Sequence, residues 1–222
     1  VIFYNKTMFQ KAGLKTPEQY EAEGNWNWNT YLEVCKGLAK GEGVARDFAA
    51  DARVTFPTCS DWIVANGGRV VDEKLSKCLI DSPEAVAALQ YQADLLHVHK
   101  VSPLPDQEQA FGGNMFMGGK LAMTYNGIWF GATAVQIKDF EWACAHMPKT
   151  PAGKRMYFFM PHSYSIAATT REELRGAAWA LISHLTGEEV EMTFVGAGQR
   201  MPHRKKTFDA LIKQSPIHNV KV

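Results

Sequence analysis

The sequence predicts an α/β fold, and three observations carry that prediction. Short apolar runs bounded by turn residues, "VIFY", "LAMT" and "FEWACAHMP", read as buried strands. Between them lie segments whose apolar residues recur at helical spacing. Several of these open on helix-start chemistry. In "DSPEAVAALQYQADLLHVHK", Ser82 is an N-cap candidate, Pro83 takes the first helical position and Glu84 favours the positive end of the helix dipole.

In chain order, Val1 to Tyr4 reads as the first strand. "NKTMFQKAGL" then places Met8, Phe9 and Ala12 on one side of a short helix that Gly13 ends. "TPEQYEAEGNWNWN" reads as polar connection. A helix from about Thr30 to Ala39 follows, with Tyr31, Val34, Cys35 and Leu38 on its apolar face. A glycine-containing stretch leads into a β-rich piece ending at Pro57, then a helix from Cys59 to Asn66 that Gly67-Gly68 stops. The Pro83 helix is expected to bury Val86, Leu89, Ala93 and Leu96. "DQEQAFGGNMFMGGK" is a weaker helix running into the strand at Leu121, and "KTPAGKR" is a turn. "MYFFMPHSYSIAATT" is β-rich but broken by Pro161. Two further helices each start with a capping-box pattern, Thr170-x-x-Glu173 and Thr186-x-x-Glu189, before "GAGQRMPHRK" interrupts the periodicity.

Composition narrows the function classes. The chain has 222 residues, a formal net charge of +1, 46% hydrophobic and 21% charged residues, so it is an ordinary globular chain without the basic footprint of a nucleic-acid binder. No apolar run reaches the about 18 residues of a spanning helix. Cys35, Cys59, Cys78 and Cys144 form no C-x-x-C pair, which argues against a zinc knuckle or a thioredoxin-like site and leaves their redox state open. The opening "VIFYNK", without methionine or signal-peptide core, leads to the expectation of a segment of a longer protein.

Enzyme signatures are missing from the sequence. "GNMFMGGKL" does not meet the G-x-x-x-x-G-K-[ST] spacing of a phosphate loop, and it stands before a strand rather than before a helix. There is no H-E-x-x-H or G-x-S-x-G. His97 and His99 fall on different helix faces, and Ser163 has no identifiable partner acid or base. No catalytic residue, metal or cofactor is expected, although a carbohydrate-active enzyme assembled from dispersed residues stays as the alternative.

The tryptophans divide. Trp62, Trp142 and Trp179 lie on apolar faces and read as core, while "NWNWN" reads as a loop stapled to the next helix by one indole, Trp26 or Trp28. Trp129 differs, because Asn126, Gly127 and Gly131 around it permit tight turns and an exposed ring. Ligand contact and core burial are both open for it on these grounds.

Several segments together resemble a known family, the extracellular solute-binding proteins of ABC importers that include maltose- and glycerol-phosphate-binding proteins. "VIFYNKTMFQKAGL" looks like the family's YNK-x-[LF]-F-x-K-A-G-L segment, and "NWNWNTYLEVCKGLAK" like its W-[TD]-W stretch. "ANGGRVVDE" with "DSPEAVAALQYQADLL" resembles a Gly-Gly hairpin and the following P-E-A helix. "AFGGNMFMGGKLAMTYNGIW" resembles A-F-x-x-G-K-x-A-M-x-x-[ND]-G-x-W. The motifs keep the family order across nearly the whole chain.

The resemblance implies a periplasmic-binding-protein-like II fold of two α/β lobes joined by crossing segments, with ligand in the cleft between them. Residues 1–146 would form most of the second lobe, 147–198 part of an incomplete first lobe, and 199–222 the return to the second. It implies a sugar, oligosaccharide or glycerol-phosphate-type ligand, a membrane permease as partner, a monomer when complete, and a periplasmic or extracellular location with a lipid anchor in a Gram-positive source. A sugar ring needs an aromatic for its apolar face and short polar groups for its hydroxyl rim. Trp129, Asn126 and Gly127 match that need; relatives also place contacts near Phe56 and Thr58. His162, Ser163 and Tyr164 are candidates from the opposite wall, where Met160-Pro161 replaces a Gly-Gly of many relatives. Arg200 could meet an anionic group.

Overall fold

A computed structural model describes residues 1–52, 58–155, 163–197 and 199–214. They divide into two compact units, one of residues 1–126 and 137–155, the other of residues 127–136 and 163–214.

The first unit is built on a four-stranded sheet of order β2-β3-β1-β4. Strand β1 (Ile2–Asn5) is wholly buried. The Asn5 side chain then accepts from the Met8 N–H at 3.0 Å and caps helix α1 (Lys6–Ala12). Gly13 ends that helix at φ 67°, a left-handed conformation that costs glycine little. The segment read as polar connection contains a helix, α2 (Pro17–Ala22): Pro17 is at the first position and the Gln19 side chain accepts from the Thr16 N–H at 2.8 Å. Helix α3 (Trp28–Leu38) begins earlier than expected because Asn27 Oδ1 accepts from Asn29 and Thr30 N–H groups, and it buries Tyr31, Val34, Cys35 and Leu38 as its spacing requires.

A 3₁₀ turn (Gly43–Ala45) leads into β2 (Phe48–Ala50); the expected β-rich piece continues into residues 53–57, outside the described residues. Helix α4 (Thr58–Ala65) follows, packed against α5 (Pro83–His97), which Ser82 caps. The fully buried stripe of α5 is Ala85, Ala88, Gln92 and Leu95, one position N-terminal to the expected one; of the expected residues, Leu89 and Leu96 pack half-buried against the core and Val86 is exposed. The alanines let the helix approach α4 closely, so the small residues rather than the larger Val86 face inward. Short helix α6 (Pro105–Phe111) precedes β3 (Leu121–Tyr125), which pairs antiparallel with β1 and parallel with β2; β4 (Trp142–Ala145) closes the sheet against β1.

An aromatic cluster fills the helix side of this core. Trp26 and Trp28 are both buried, not one as read from sequence. Trp26 Nε1 donates to the His146 carbonyl at 2.8 Å, and Trp28 stacks on Tyr91 with centroids 4.2 Å apart, beside Trp62. The four cysteines are unpaired thiols, and burial pushes that of Cys144 up to about 12.

The second unit holds a 3₁₀ turn (Ile128–Phe130), α7 (Gly131–Ala134), α8 (Glu172–Leu185), α9 (Glu188–Gly196) and α10 (Lys205–Gln214), the last not anticipated. Neither expected capping box forms. Helix α8 starts after Arg171, so Thr170 lies one residue too far out. The Thr186 hydroxyl donates back to the Ile182 carbonyl at 2.9 Å, and Gly187 takes the cap of α9. The β-rich reading of residues 156–170 falls outside the described residues at 156–162, and Ser163 to Thr170 carry no strand. Trp179, expected in the core, is 64% exposed and Trp142 is half-buried.

Candidate functional site

Strand β3 runs buried from Leu121 to Thr124, and its backbone pairing extends one residue further, where the Asn126 N–H donates to the Val1 carbonyl at 3.0 Å. β2 has already left the sheet. The carboxylate of Asp51, the residue after it, accepts the Thr124 hydroxyl at 2.7 Å and the Tyr125 N–H at 2.9 Å. A side chain thereby takes over where the strand's backbone partner ends. The Tyr125 hydroxyl donates to the carboxylate of Asp61 on α4. Asp51 and Asp61 are both buried.

The chain then turns. Gly127 has φ −74° and ψ 163°, and Gly131 φ −53°, ordinary values open to any residue, so backbone freedom is not their role. At Gly127 the reason is space: a Cβ there would collide with the six-membered ring of Trp129, which folds over the glycine. The 3₁₀ turn buries Phe130 and leaves Trp129 51% exposed. Core burial is thereby removed as the explanation of Trp129. A ring braced on backbone with its other side open is suited to stacking on an apolar ligand face.

The other candidates are placed as follows. Thr58 is half-buried at the start of α4 in the first unit; Phe56 and His162 lie outside the described residues. In the second unit, Ser163 is exposed, and Tyr164 and Arg200 come together: an Arg200 guanidinium nitrogen donates to the Tyr164 hydroxyl at 3.2 Å, and its plane lies 4.1 Å from the Phe194 ring centre. Phe194 was not singled out in the sequence, where it reads as one apolar residue of a helix.

Arg200 lies on a segment that a buried carboxylate organises. Glu191 of α9 accepts the N–H groups of His203 and Arg204 at 2.7 and 3.2 Å, the His203 ring nitrogen at 2.9 Å, the Thr207 hydroxyl at 3.2 Å and the Arg204 guanidinium. Burial alone would raise its pKa, but these donors, Arg204 foremost, hold it below the usual carboxylate value. Among the described residues no group of three or more His, Cys, Asp and Glu side chains could hold a metal ion, and no helix is long and apolar enough to cross a membrane.

No curated protein matches the chain by sequence. Solved structures do match it. An ABC substrate-binding protein of Listeria monocytogenes in complex with cycloalternan superposes with a TM-score of 0.80 at 21% identity, over 97% of this chain and 54% of that one. Maltose-bound MalE3 of T. maritima gives 0.71 at 23% identity, over 97% and 55%. UgpB of Mycobacterium tuberculosis with glycerophosphocholine gives 0.72 at 21% identity, over 96% and 52%. The chain therefore has the periplasmic-binding-protein-like α/β fold of these proteins and spans about half of their length. The sequence profile of the bacterial extracellular solute-binding protein family matches residues 1–219, and the chain belongs to that family.

Proposed function

We propose that the complete protein captures a sugar or oligosaccharide without chemical change, in the interlobe cleft that the family resemblance implies, and delivers it to an ABC permease outside the cytoplasm. The observation that carries this reading is the Trp129 indole, braced on Gly127 and half exposed directly after Asn126. It supplies an aromatic face beside short polar groups, the combination that recognition of a sugar ring needs. The ligands of three structural neighbours, cycloalternan, maltose and glycerophosphocholine, support a carbohydrate or a glycerol-phosphate head group. For the latter, Arg200 is the cation proposed to meet the phosphate, with Tyr164, which it contacts, and Tyr164's sequence neighbours Ser163 and His162 as further candidates. Thr58 and Phe56 are proposed as further contacts in the second lobe, residues 1–146. Residues 147–198 are assigned to the first-domain wall, and 199–222 to the return crossing.

The test is calorimetry and thermal shift on the full-length protein with maltose, maltotriose, cycloalternan and glycerophosphocholine, followed by analysis of the recovered ligand. Saturable binding with intact ligand is expected. Turnover of any of them would replace capture by a carbohydrate-active enzyme, and absence of stabilisation by any small molecule would favour an interaction module.

A further inference from the structure

We propose that Asp51 and Asp61 are positioning residues for ligand capture, which hold the end of β3 so that Asn126 and the turn after it are presented in one conformation. The inference deepens the capture reading and rests on it. Tyr125 is the last residue of β3, and both of its polar groups go to carboxylates from different elements: its N–H to Asp51 after β2, its hydroxyl to Asp61 on α4. The preceding Thr124 hydroxyl also goes to Asp51. Strand end, β2 exit and α4 are thus joined through two side chains only one residue before Asn126.

Two features separate this arrangement from routine packing. Buried carboxylates are costly to desolvate, and an apolar core gains no stability from them in general. Here they stand at the point where the sheet ends, on either side of residues 53–57 in the chain. The second feature is direction. A backbone N–H that lacks its ladder partner at a strand end would otherwise be met by water and would leave the following turn free to fray. Asp51 supplies a fixed acceptor, and the Tyr125–Asp61 bond blocks rotation of the same residue's side chain. Neither carboxylate needs to touch ligand for capture to depend on it.

The test uses the full-length protein and its Asp61→Ala, Asp61→Asn, Tyr125→Phe and Asp51→Ala variants. Hydrogen exchange is followed over residues 122–130, and affinity is measured for maltotriose and glycerophosphocholine. Asp61→Ala, Asp51→Ala and Tyr125→Phe are expected to speed exchange in that segment about tenfold or more, with α3 and β1 unchanged, and to weaken binding of the accepted probe by a similar factor. Asp61→Asn keeps an oxygen acceptor for the Tyr125 hydroxyl and is expected to restore most of both. Unchanged exchange in the segment, or an equal rise throughout the first unit, would overturn the proposal. So would faster exchange with affinity left within about twofold of wild type. If wild type binds neither probe while exchange responds as expected, the sugar-capture reading fails and the anchoring of the turn stands.

Discussion

At Trp129 a single missing methyl group decides what the largest side chain of the turn can do. Because the indole occupies the space of a Gly127 Cβ, Gly127→Ala must push the ring off its seat. The expected result is a loss of sugar affinity comparable to that of Trp129→Ala, roughly 0.5–1.5 kcal/mol for one aromatic contact, with little change in thermal stability because the ring is already half in water. Calorimetry on both variants checks this, and a Gly127→Ala protein with unaltered affinity would remove the seat from the site. A second residue-scale outcome concerns Gln92, which is fully buried and whose amide has no hydrogen-bond partner among the described residues. Leaving such groups unmet costs about 1–3 kcal/mol. Gln92→Met, similar in length and apolar, is expected to hold or raise the melting temperature, and a clear fall would show that the amide is paired through water. In the sequence, "TYNGIW" was legible as an unusual strand ending beside an aromatic, with exposure and core burial of the ring both open. The seat itself was not, because it depends on how the ring folds back across the backbone.

At the scale of elements, Glu191 ties α9 to the start of α10 through five donors, and Arg204 also donates to the Thr186 carbonyl at 2.7 Å. Removing a buried partner leaves the other charge uncompensated, so Glu191→Ala is expected to destabilise this part of the protein by about 3 kcal/mol. That is the lower end for buried pairs, since the Arg204 side chain keeps 38% of its exposure. The folded pKa of Glu191 lies below its ordinary value of 4.5. Its contribution is therefore complete above that value and is lost as pH falls through the folded pKa. Denaturant unfolding from about pH 6 to about pH 3 should show stability of α9 and α10 falling with acid, and a shallower fall in Glu191→Gln. The elements themselves were unevenly legible. Helices α1, α3, α4 and α5 followed from their caps and spacing, because those signals are local. The stripe of α5 shifted because tertiary packing chose the alanines, and the two capping boxes failed because α8 and α9 each begin one residue later than Thr170 and Thr186 would cap them.

For the whole molecule, burial is distributed unevenly. Helix α3 sinks five side chains into the core, whereas α8 has no buried residue and exposes Leu174, Trp179 and Leu181. Isolated helices of this length are marginal in water, and packing supplies most helical stability. In the 222-residue chain, amide exchange in Glu172–Leu185 is expected to run at least about 100-fold faster than in Trp28–Leu38, measured by mass spectrometry at neutral pH. Equal protection of the two helices would show that α8 is stabilised by contacts beyond those described.

What the sequence determined by itself was whatever is written in neighbours along the chain: the α/β class, most strands and helices, and the order of motifs that marks the solute-binding family. Those depend on periodicity, caps and turn residues within a few positions of one another. The sheet order, the burial of both Trp26 and Trp28, the exposure of Trp179, and the meeting of Tyr125 with Asp51 and Asp61 were decided only by tertiary structure. Each joins residues far apart in the chain, and an aspartate or a tryptophan carries no local mark of the partner that burial will give it.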